Sequence, residues 1–141
     1  MPIRCEVVSQ DRIVFQGNVD IVNLPGVEGD MGILPNHSPV LTLLRFGVIT
    51  IKTKTDEQFF TVAGGVAEVQ PDQVTILADA AENVDEIDIQ RAEMARKRAE
   101  EALLKTPQTL TDEYLAIEAA IRRSNLRLDA ARRFKSQKKS R

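Results

Sequence analysis

Short alternating runs of apolar and polar residues dominate the first 84 residues of this 141-residue chain. Val, Ile and Phe fill these runs, and turn residues such as Gln10-Asp11 and Gly17-Asn18 separate them. Because successive side chains of a strand point to opposite faces, each run predicts a half-buried strand. The predicted strands are Ile3–Ser9, Arg12–Gln16, Val19–Leu24, Val40–Leu44, Val48–Lys54, Glu57–Ala63, Val66–Gln70 and Gln73–Asp79.

The turns between these runs predict an all-β unit. Roughly eight to ten short strands with a turn about every 8–12 residues are typical of a sandwich or barrel. The connections are too short for parallel crossovers, so we expect antiparallel pairing. Two polar stretches, Pro25–Gly32 and Pro35–Pro39, are predicted loops. The first part of the chain therefore predicts an antiparallel β-sandwich.

A helical pattern replaces the alternation after Val84. Asp85 is a suitable N-cap for a first helix, and Thr106-Pro107-Gln108 should end it, since proline cannot continue a helix. Its small side chains repeat at spacings of three and four, so they share one face, namely Ala92, Ala95, Ala99 and Ala102.

A second helix should begin at Thr109 or Thr111, with Asp112 and Glu113 in its first turn. Its apolar seam has heptad-like spacing and comprises Leu110, Tyr114, Ile117, Ile121, Ser124, Leu128 and Ala131. The short connection predicts an antiparallel hairpin. Because an alanine stripe buries little apolar area, we expect this hairpin to need a partner surface or a ligand.

Composition divides the chain at the same place. Residues 1–84 carry 5 Lys+Arg and 11 Asp+Glu, a net charge of −6, whereas residues 85–141 carry 14 and 10, a net charge of +4. All 7 glycines and 5 of the 6 prolines lie in the first part. We therefore predict an α+β protein with two domains, a β-sandwich at 1–84 and a two-helix hairpin at 85–141.

Candidate catalytic groups are few. Neither GxxxxGK[ST] nor GxGxxG occurs, and the single Cys5 and single His37 are far apart in sequence. No Cys/His cluster indicates a metal site. We expect no catalytic residues, no bound metal and no required cofactor. No apolar run could span a bilayer, and Met1–Arg4 resembles no export signal, so a cytoplasmic protein is expected.

The arginines of the helical part are the strongest ligand-binding candidates. Arg91 and Arg98 are seven residues apart, and Arg123 and Arg127 are four apart, so each pair shares a helix face. Such guanidinium groups suit a polyphosphate, and Asp88 could orient Arg91 or accept a hydrogen bond from a base or sugar. The alternative is a solvated charged face with intrahelical ion pairs such as Glu93–Lys97.

The basic segments Arg132–Lys135 and Lys138–Arg141 suggest a further contact. The chain as a whole is acidic and has few aromatic residues, so we expect an acidic protein surface rather than nucleic acid.

Three stretches resemble the epsilon subunit of F-type ATP synthases: Glu28–Pro39, Gly64–Val69 and Val74–Asp79. Their order and spacing, followed by the helical hairpin, extend the resemblance over nearly the whole chain. It implies a non-catalytic rotor subunit whose sandwich binds the gamma subunit and the c ring. The turn at Glu28, Gly29, Asp30 and Met31 would then lie toward the c ring. Such a subunit is peripheral, at the cytoplasmic face of the bacterial plasma membrane.

The resemblance also implies a regulatory hairpin. In this family the helices fold on the sandwich or extend along gamma toward the alpha and beta subunits, where they block ATP hydrolysis. The family's ATP motif, Ile/Leu-Asp-x-x-Arg-Ala, matches Ile87–Ala92. The implied ATP-binding residues are Glu82, Ile87, Asp88, Arg91, Ala92, Arg98, Arg123 and Arg127, with Arg122 as an alternative to Arg123. ATP is thus a regulatory ligand that would favour the folded form.

Two other classes remain at this stage. A free-standing nucleotide-binding module would have no affinity for a gamma subunit, and an enzyme would need a catalytic constellation.

Overall fold

The computed structural model describes residues 2–135, and the chain divides into two compact units between Val84 and Asp85. The basic segment Lys138–Arg141 lies outside the described residues. The elements are β1 (Ile3–Ser9), β2 (Arg12–Val19), β3 (Ile21–Gly26), β4 (Gly29–Ile33), β5 (Val40–Lys52), β6 (Glu57–Val69), β7 (Gln73–Ala78), β8 (Ala81–Asn83), α1 (Ile89–Lys105) and α2 (Thr111–Ala130).

The strands of the first unit form one sheet that folds into two layers. Its order is β2-β1-β7-β6-β5-β3-β4, and β8 pairs with β6 beside this path. The two 13-residue strands β5 and β6 cross both layers. The second half of β6 pairs with β7, whereas Phe60–Val62 in its first half pairs with β8. This arrangement confirms the predicted sandwich, with eight strands where roughly eight to ten were expected.

Two predicted turns are bends inside strands, so four of the predicted strands merge into β5 and β6, whereas β4 and β8 were not predicted. The sequence predicted breaks at Arg45–Gly47 and at Gly64-Gly65, but β5 and β6 run through them and stay paired on both sides. Gly64 and Gly65 have φ values of +89° and +135°, a region that other residues rarely adopt. Glycine here bends a continuous strand rather than ending it.

One strand pair contradicts the expected antiparallel pairing. β1 and β7 are parallel, with Arg4 opposite Gln73 and Val8 opposite Leu77. The short connections that favour antiparallel pairing join only consecutive strands. Five strands separate β1 from β7 in the chain, which is ample length for a parallel return.

The first predicted loop is also wrong in part. β3 continues through Pro25 and Gly26, and β4 begins at Gly29, so only Val27 and Glu28 form the turn between them. Glycine and a weak alternation conceal β4 in the sequence. The predicted loop at Pro35–Pro39 does lie between strands.

Alternating apolar side chains form the core between the layers. In β1 these are Ile3, Cys5 and Val7, all fully buried. Phe15 packs edge-on against Phe60, with ring centroids 5.7 Å apart. Each core-cluster residue belongs to the first unit; they are Ile3, Cys5, Val7, Val19, Val22, Leu24, Ile33, Leu44, Ile49, Ile51, Phe60, Val62, Ala67, Val69, Val74, Ile76 and Ala78.

The helix start was predicted three residues too early. A 3-10 turn covers Val84–Glu86, and α1 follows with Asp88 as its N-cap. The Asp88 carboxylate accepts a hydrogen bond from the backbone N–H of Arg91 at 3.2 Å. Either aspartate suits an N-cap, but burial of Val84 and Ile87, three residues apart, fits a 3-10 turn at Asp85.

The two helices of the second unit contact one another as a hairpin. α1 ends at Lys105, as predicted, and α2 begins at Thr111 after an N-cap at Leu110. The alanine stripe is buried or half-buried, and so is the seam of α2 from Tyr114 onward. No helix within residues 2–135 has the length and apolar character needed to cross a membrane.

Candidate functional site

A cleft of about 500 Å³ lies in the helical unit. This volume is within the range of small-molecule sites, which is about 300–1,000 Å³. Its lining combines cationic, acidic and apolar side chains, namely Glu86, Asp88, Arg91, Met94, Ala95, Arg98 and Arg127. The sequence predicted four of these as ligand-binding residues.

The α1 side of the cleft follows one helix face. Asp88, Arg91 and Arg98 lie at spacings of three and seven residues, so their side chains project in similar directions. At 1.5 Å of rise per residue, Arg91 and Arg98 are about 10 Å apart along the helix axis. This face therefore offers two guanidinium groups and one carboxylate to an elongated anion.

Arg127 is the α2 contribution to this cleft. It is half-buried beside fully buried Leu128, which belongs to the seam between the helices. Arg123 is exposed and does not line the cleft, and neither does Arg122. A ligand bridging Arg127 and the α1 arginines would contact both helices at once.

The other predicted ATP-binding residues lie away from the cleft lining. Glu82 belongs to β8, in the first unit. Ile87 and Ala92 are buried, so they support the backbone around Asp88 rather than face a ligand. Their presence in the motif has a packing explanation within the helical unit.

Three lining residues were not predicted: Glu86, Met94 and Ala95. Met94 and Ala95 lie one turn beyond Arg91 on α1, a spacing that the sequence contains but that carries no chemical signal. Met94 is exposed, and its thioether gives the cleft an apolar surface between two arginines.

The ion pairs of the helical face include one intrahelical pair, as the alternative of a solvated charged face expects, and one between distant parts of the unit. Glu93 pairs with Arg132, beyond the end of α2, at 2.6 Å rather than with Lys97, and Arg96 pairs with Glu100 within α1. Lys135 also donates a hydrogen bond to the carbonyl of Ile87. The contacts of Arg132 and Lys135 join the π-helical segment Ala131–Lys135, which follows α2, to the beginning of α1.

A second cleft, of about 460 Å³, lies in the first unit beside the β3–β4 turn. Its lining mixes the predicted c-ring contact residues with apolar side chains of β5, and comprises Val27, Glu28, Gly29, Asp30, Met31, Val40, Leu41, Thr42 and Leu43. Leu41 is 70% exposed. The four predicted contact residues are thus together at one surface.

An apolar row crosses five strands on the outer face of one layer. Register places its members opposite one another in the order Leu43, Val66, Leu77, Val8 and Ile13. Three of them are more than half exposed, and the two valines are half-buried. Contiguous exposed apolar surface of this kind marks interaction sites.

Cys5 and His37 do not form a catalytic pair. Cys5 is fully buried in β1, and desolvation raises the pKa of its thiol to about 12. It therefore stays a neutral thiol near pH 7 and is no nucleophile. His37 lies in the Pro35–Pro39 loop, and no group of side chains in residues 2–135 is arranged to hold a metal ion.

Two family models cover the chain. One, described as "ATP synthase, Delta/Epsilon chain, beta-sandwich domain", matches residues 2–84, and the other, described as the long alpha-helix domain of the same chain, matches residues 85–132. The chain belongs to the ATP synthase delta/epsilon family. As a member of this family it is a non-catalytic subunit.

Relatives in the delta/epsilon family match along almost the whole chain. The ATP synthase epsilon chain of Herpetosiphon aurantiacus is 43% identical over 132 residues, which are 94% of this chain and 96% of the relative. That of Halalkalibacterium halodurans is 42% identical over 131 residues, or 93% and 98%.

Two solved structures share the delta/epsilon fold. A chain of the Euglena gracilis mitochondrial ATP synthase aligns with a TM-score of 0.70 at 22% identity, covering 85% of this chain and 75% of that one. A chain of the Tetrahymena thermophila mitochondrial ATP synthase, in a structure titled central stalk and c ring, aligns with a TM-score of 0.64 at 14% identity, covering 93% and 97%.

Proposed function

We propose that this chain is a central-stalk rotor subunit of an F-type ATP synthase, and that its hairpin is an ATP-responsive inhibitor of ATP hydrolysis. The observation that carries the regulatory part is the cleft that gathers Arg91, Arg98 and Arg127 from two helices. The subunit acts at the membrane as a peripheral part of the complex, on the cytoplasmic side in bacteria.

Phosphate groups in the cleft would stabilise the hairpin in its closed form, in which α1 and α2 contact one another. Forked guanidinium donors from α1 and from α2 match phosphate oxygens and would bind the same anion. The alanine stripe contributes little apolar area, so the ligand supplies a larger share of the hairpin's stability. A ligand that binds only the closed form stabilises it by about 2.7 kcal/mol at 100 times its Kd.

Asp88 would set the orientation of a nucleotide in the cleft. Its carboxylate already caps α1, and a carboxylate has further acceptor capacity for a ribose hydroxyl or a base amino group. The nucleoside end of ATP would then lie near Asp88, with the phosphates toward Arg98 and Arg127.

The first prediction concerns this cleft. Calorimetric titration of the isolated protein with millimolar ATP should show binding, and Arg98→Ala should weaken it roughly tenfold or more, because a hydrogen bond to a charged group contributes about 1.5–3 kcal/mol. Lys97→Ala is the matched control, since Lys97 is exposed on α1 outside the cleft lining. No heat and no shift in melting temperature with the wild type would refute the ATP site.

The same titration separates the candidate α2 arginines. We expect Arg127→Ala to weaken ATP binding as much as Arg98→Ala, because both side chains line the cleft. Arg123→Ala and Arg122→Ala should each have an effect below threefold. A large loss with either of these and none with Arg127→Ala would mean that ATP binds in another arrangement.

Loss of ATP would allow the helices to extend along gamma toward the alpha and beta subunits. α2 and the turn after it carry the arginines that would meet an acidic partner surface, including Arg122, Arg123 and Arg132, all exposed. Opposite charge on the partner favours encounter and orientation more than affinity.

The two surfaces of the sandwich suit two partners. The apolar row supports a gamma-binding face, because it is exposed and contiguous across five strands. The cleft beside Glu28, Gly29, Asp30 and Met31 supports the c-ring contact, because polar turn residues there adjoin exposed Val27 and Leu41. A free-standing nucleotide-binding module would need neither surface.

A second prediction tests the gamma-binding face. Leu77→Lys places a charge at the centre of the apolar row and should lower co-purification with the gamma subunit at least tenfold, because the ammonium would be desolvated at an apolar contact. Leu34→Lys is the control: Leu34 is similarly exposed but outside the row. Equal co-purification of the wild type and Leu77→Lys would exclude this face.

A further inference from the structure

The two central residues of the turn between β3 and β4 lack the positive φ values that two-residue hairpin turns favour. Val27 and Glu28 are its two central residues, and neither has a positive φ; among the described residues other than glycine, only Asn36 does. Two-residue hairpin turns fit the twist of their strands best when the first central residue has a positive φ. Gly29, which follows Val27 and Glu28, has a φ of +140°, and contacts from outside the hairpin also hold this turn.

β5 supplies those contacts. The backbone N–H of Val27 donates to the carbonyl of Leu43 at 2.9 Å, and Arg45 Nη1 donates to the carbonyl of Gly26 at 2.9 Å. Arg45 Nη2 also donates to the carboxylate of Asp30. One guanidinium group thus binds the last residue of β3 and the second residue of β4, on both sides of the turn.

An irregularity in the β3–β5 pairing brings Arg45 close to the turn. β3 and β5 lose regular pairing between Asn23 and Gly26, so the β5 segment that contains Arg45 departs from the ladder. Gly47 lies in the same segment, and a Cβ there would come within 2.6 Å of Pro25 Cβ. The irregularity thus brings Pro25 close to β5 and lets the Arg45 side chain reach the adjacent carbonyl.

We infer that Arg45 is a positioning residue that sets the conformation in which Glu28, Gly29, Asp30 and Met31 meet the c ring. The partner in this inference rests on the proposed function, whereas the effect of Arg45 on the turn does not. Fixing a loop before binding removes part of the ordering cost of association.

Geometry rather than charge is the physical basis of this role. The side chains of Arg45 and Asp30 are 46% and 78% exposed, so solvent screens their attraction and an exposed ion pair contributes little alone. A lysine keeps the charge but not the fork, so it would hold one of the two partners at a time. The effect of Arg45 should consequently persist in high salt.

Amide hydrogen exchange of the isolated chain tests the conformational step. We expect Arg45→Ala to accelerate exchange of the Val27 amide roughly tenfold or more, because opening of the turn breaks its bond to Leu43. Arg45→Lys should give an intermediate rate, at low and high salt alike. Lys54→Ala removes an equal charge from an exposed site after β5 and should change nothing. Unaltered Val27 exchange in Arg45→Ala overturns the inference.

Titration of the gamma-bound chain with purified c ring tests the functional step. Arg45→Ala should lower the affinity roughly fivefold or more, Arg45→Lys should recover part of it, and Lys54→Ala should match the wild type. A loosened turn with unchanged affinity would overturn the positioning role. If the c ring leaves the amides of Glu28–Met31 unprotected in the wild type, the proposed c-ring contact itself is wrong, and the exchange result stands apart from it.

Discussion

Removal of residues 85–141 should raise the ATP hydrolysis rate of the assembled ATP synthase severalfold and leave the subunit in the complex. The first unit supplies its whole core cluster, from Ile3 to Ala78, so the truncated chain keeps a folded sandwich. The apolar row and the β3–β4 turn also remain. The proposed inhibitory element is lost, whereas both proposed partner surfaces are kept.

Hydrolysis and subunit content must be measured on the same preparation. A truncation after Thr106 is the informative second variant, because it removes α2 and keeps α1, whose arginines alone should not inhibit. We expect it to hydrolyse ATP as fast as the full deletion. An unchanged rate at full subunit content, in the complete deletion, would contradict the inhibitory role.

The sandwich was readable from the sequence because a single physical signal recurs in it. Alternation in β1 places Ile3, Cys5 and Val7 in the core, and the structure buries all three. Continuity of β5 and β6 was not readable, because glycine marks both turns and bends. A glycine marks a bend when the residues after it pair with the same neighbouring strand as those before it, and a turn when they do not. This pairing is a property of the folded sheet.

The helix start shows the same limit on a smaller scale. Asp85 and Asp88 have the same side chain, and both precede a helical pattern. Burial of Ile87 selects the second as the N-cap, and burial follows from tertiary packing rather than from local preference. The parallel β1–β7 pair could not be predicted for a related reason. Pairing between strands that are distant in the chain leaves no periodic pattern in the sequence.

The cleft was predictable on α1 and only partly on α2. Helical spacing places Asp88, Arg91 and Arg98 on one face without reference to any partner. On α2, Arg123 and Arg127 also share a face, but four residues, about 6 Å, separate them along the axis. Only the register of the antiparallel helices brings Arg127 to the cleft, and that register is set by packing along the seam.

The role inferred for Arg45 had no sequence signal at all. A lone arginine in a strand pattern is usually a solvated side chain. Its two partners, Gly26 and Asp30, lie 19 and 15 positions away and meet it only because β5 departs from its ladder there. Contacts between a side chain and the backbone of another element cannot be predicted from the sequence, because they depend on the folded structure.

Gly65→Ala should be the most destabilising of the glycine-to-alanine changes in the sandwich. A Cβ at Gly65 would lie 2.3 Å from the carbonyl oxygen of Leu77 and 2.8 Å from Cα of Ala78, and both obstacles are backbone atoms of β7. Its φ of +135° is also strained for any L side chain. Strained φ costs about 1–3 kcal/mol and overpacking about 1–3 kcal/mol more. We expect Gly65→Ala to lower the free energy of unfolding by about 3–5 kcal/mol.

Two other glycines give a graded control for the same measurement, which is urea unfolding followed by far-ultraviolet circular dichroism. At Gly64 the nearest atom is Oδ2 of Asp79, at 2.8 Å, and a side chain can move, so Gly64→Ala should cost less than Gly65→Ala. At Gly17 the nearest atom is 3.5 Å away on Phe15, so Gly17→Ala should stay within about 1 kcal/mol of the wild type. If the urea midpoint is lowest for Gly65→Ala, intermediate for Gly64→Ala and highest for Gly17→Ala, the close approach of β7 to the bend requires glycine. Equal midpoints for Gly65→Ala and Gly17→Ala would show that β6 can bend without it, and the physical account of the two-layer fold would be wrong at its central strand.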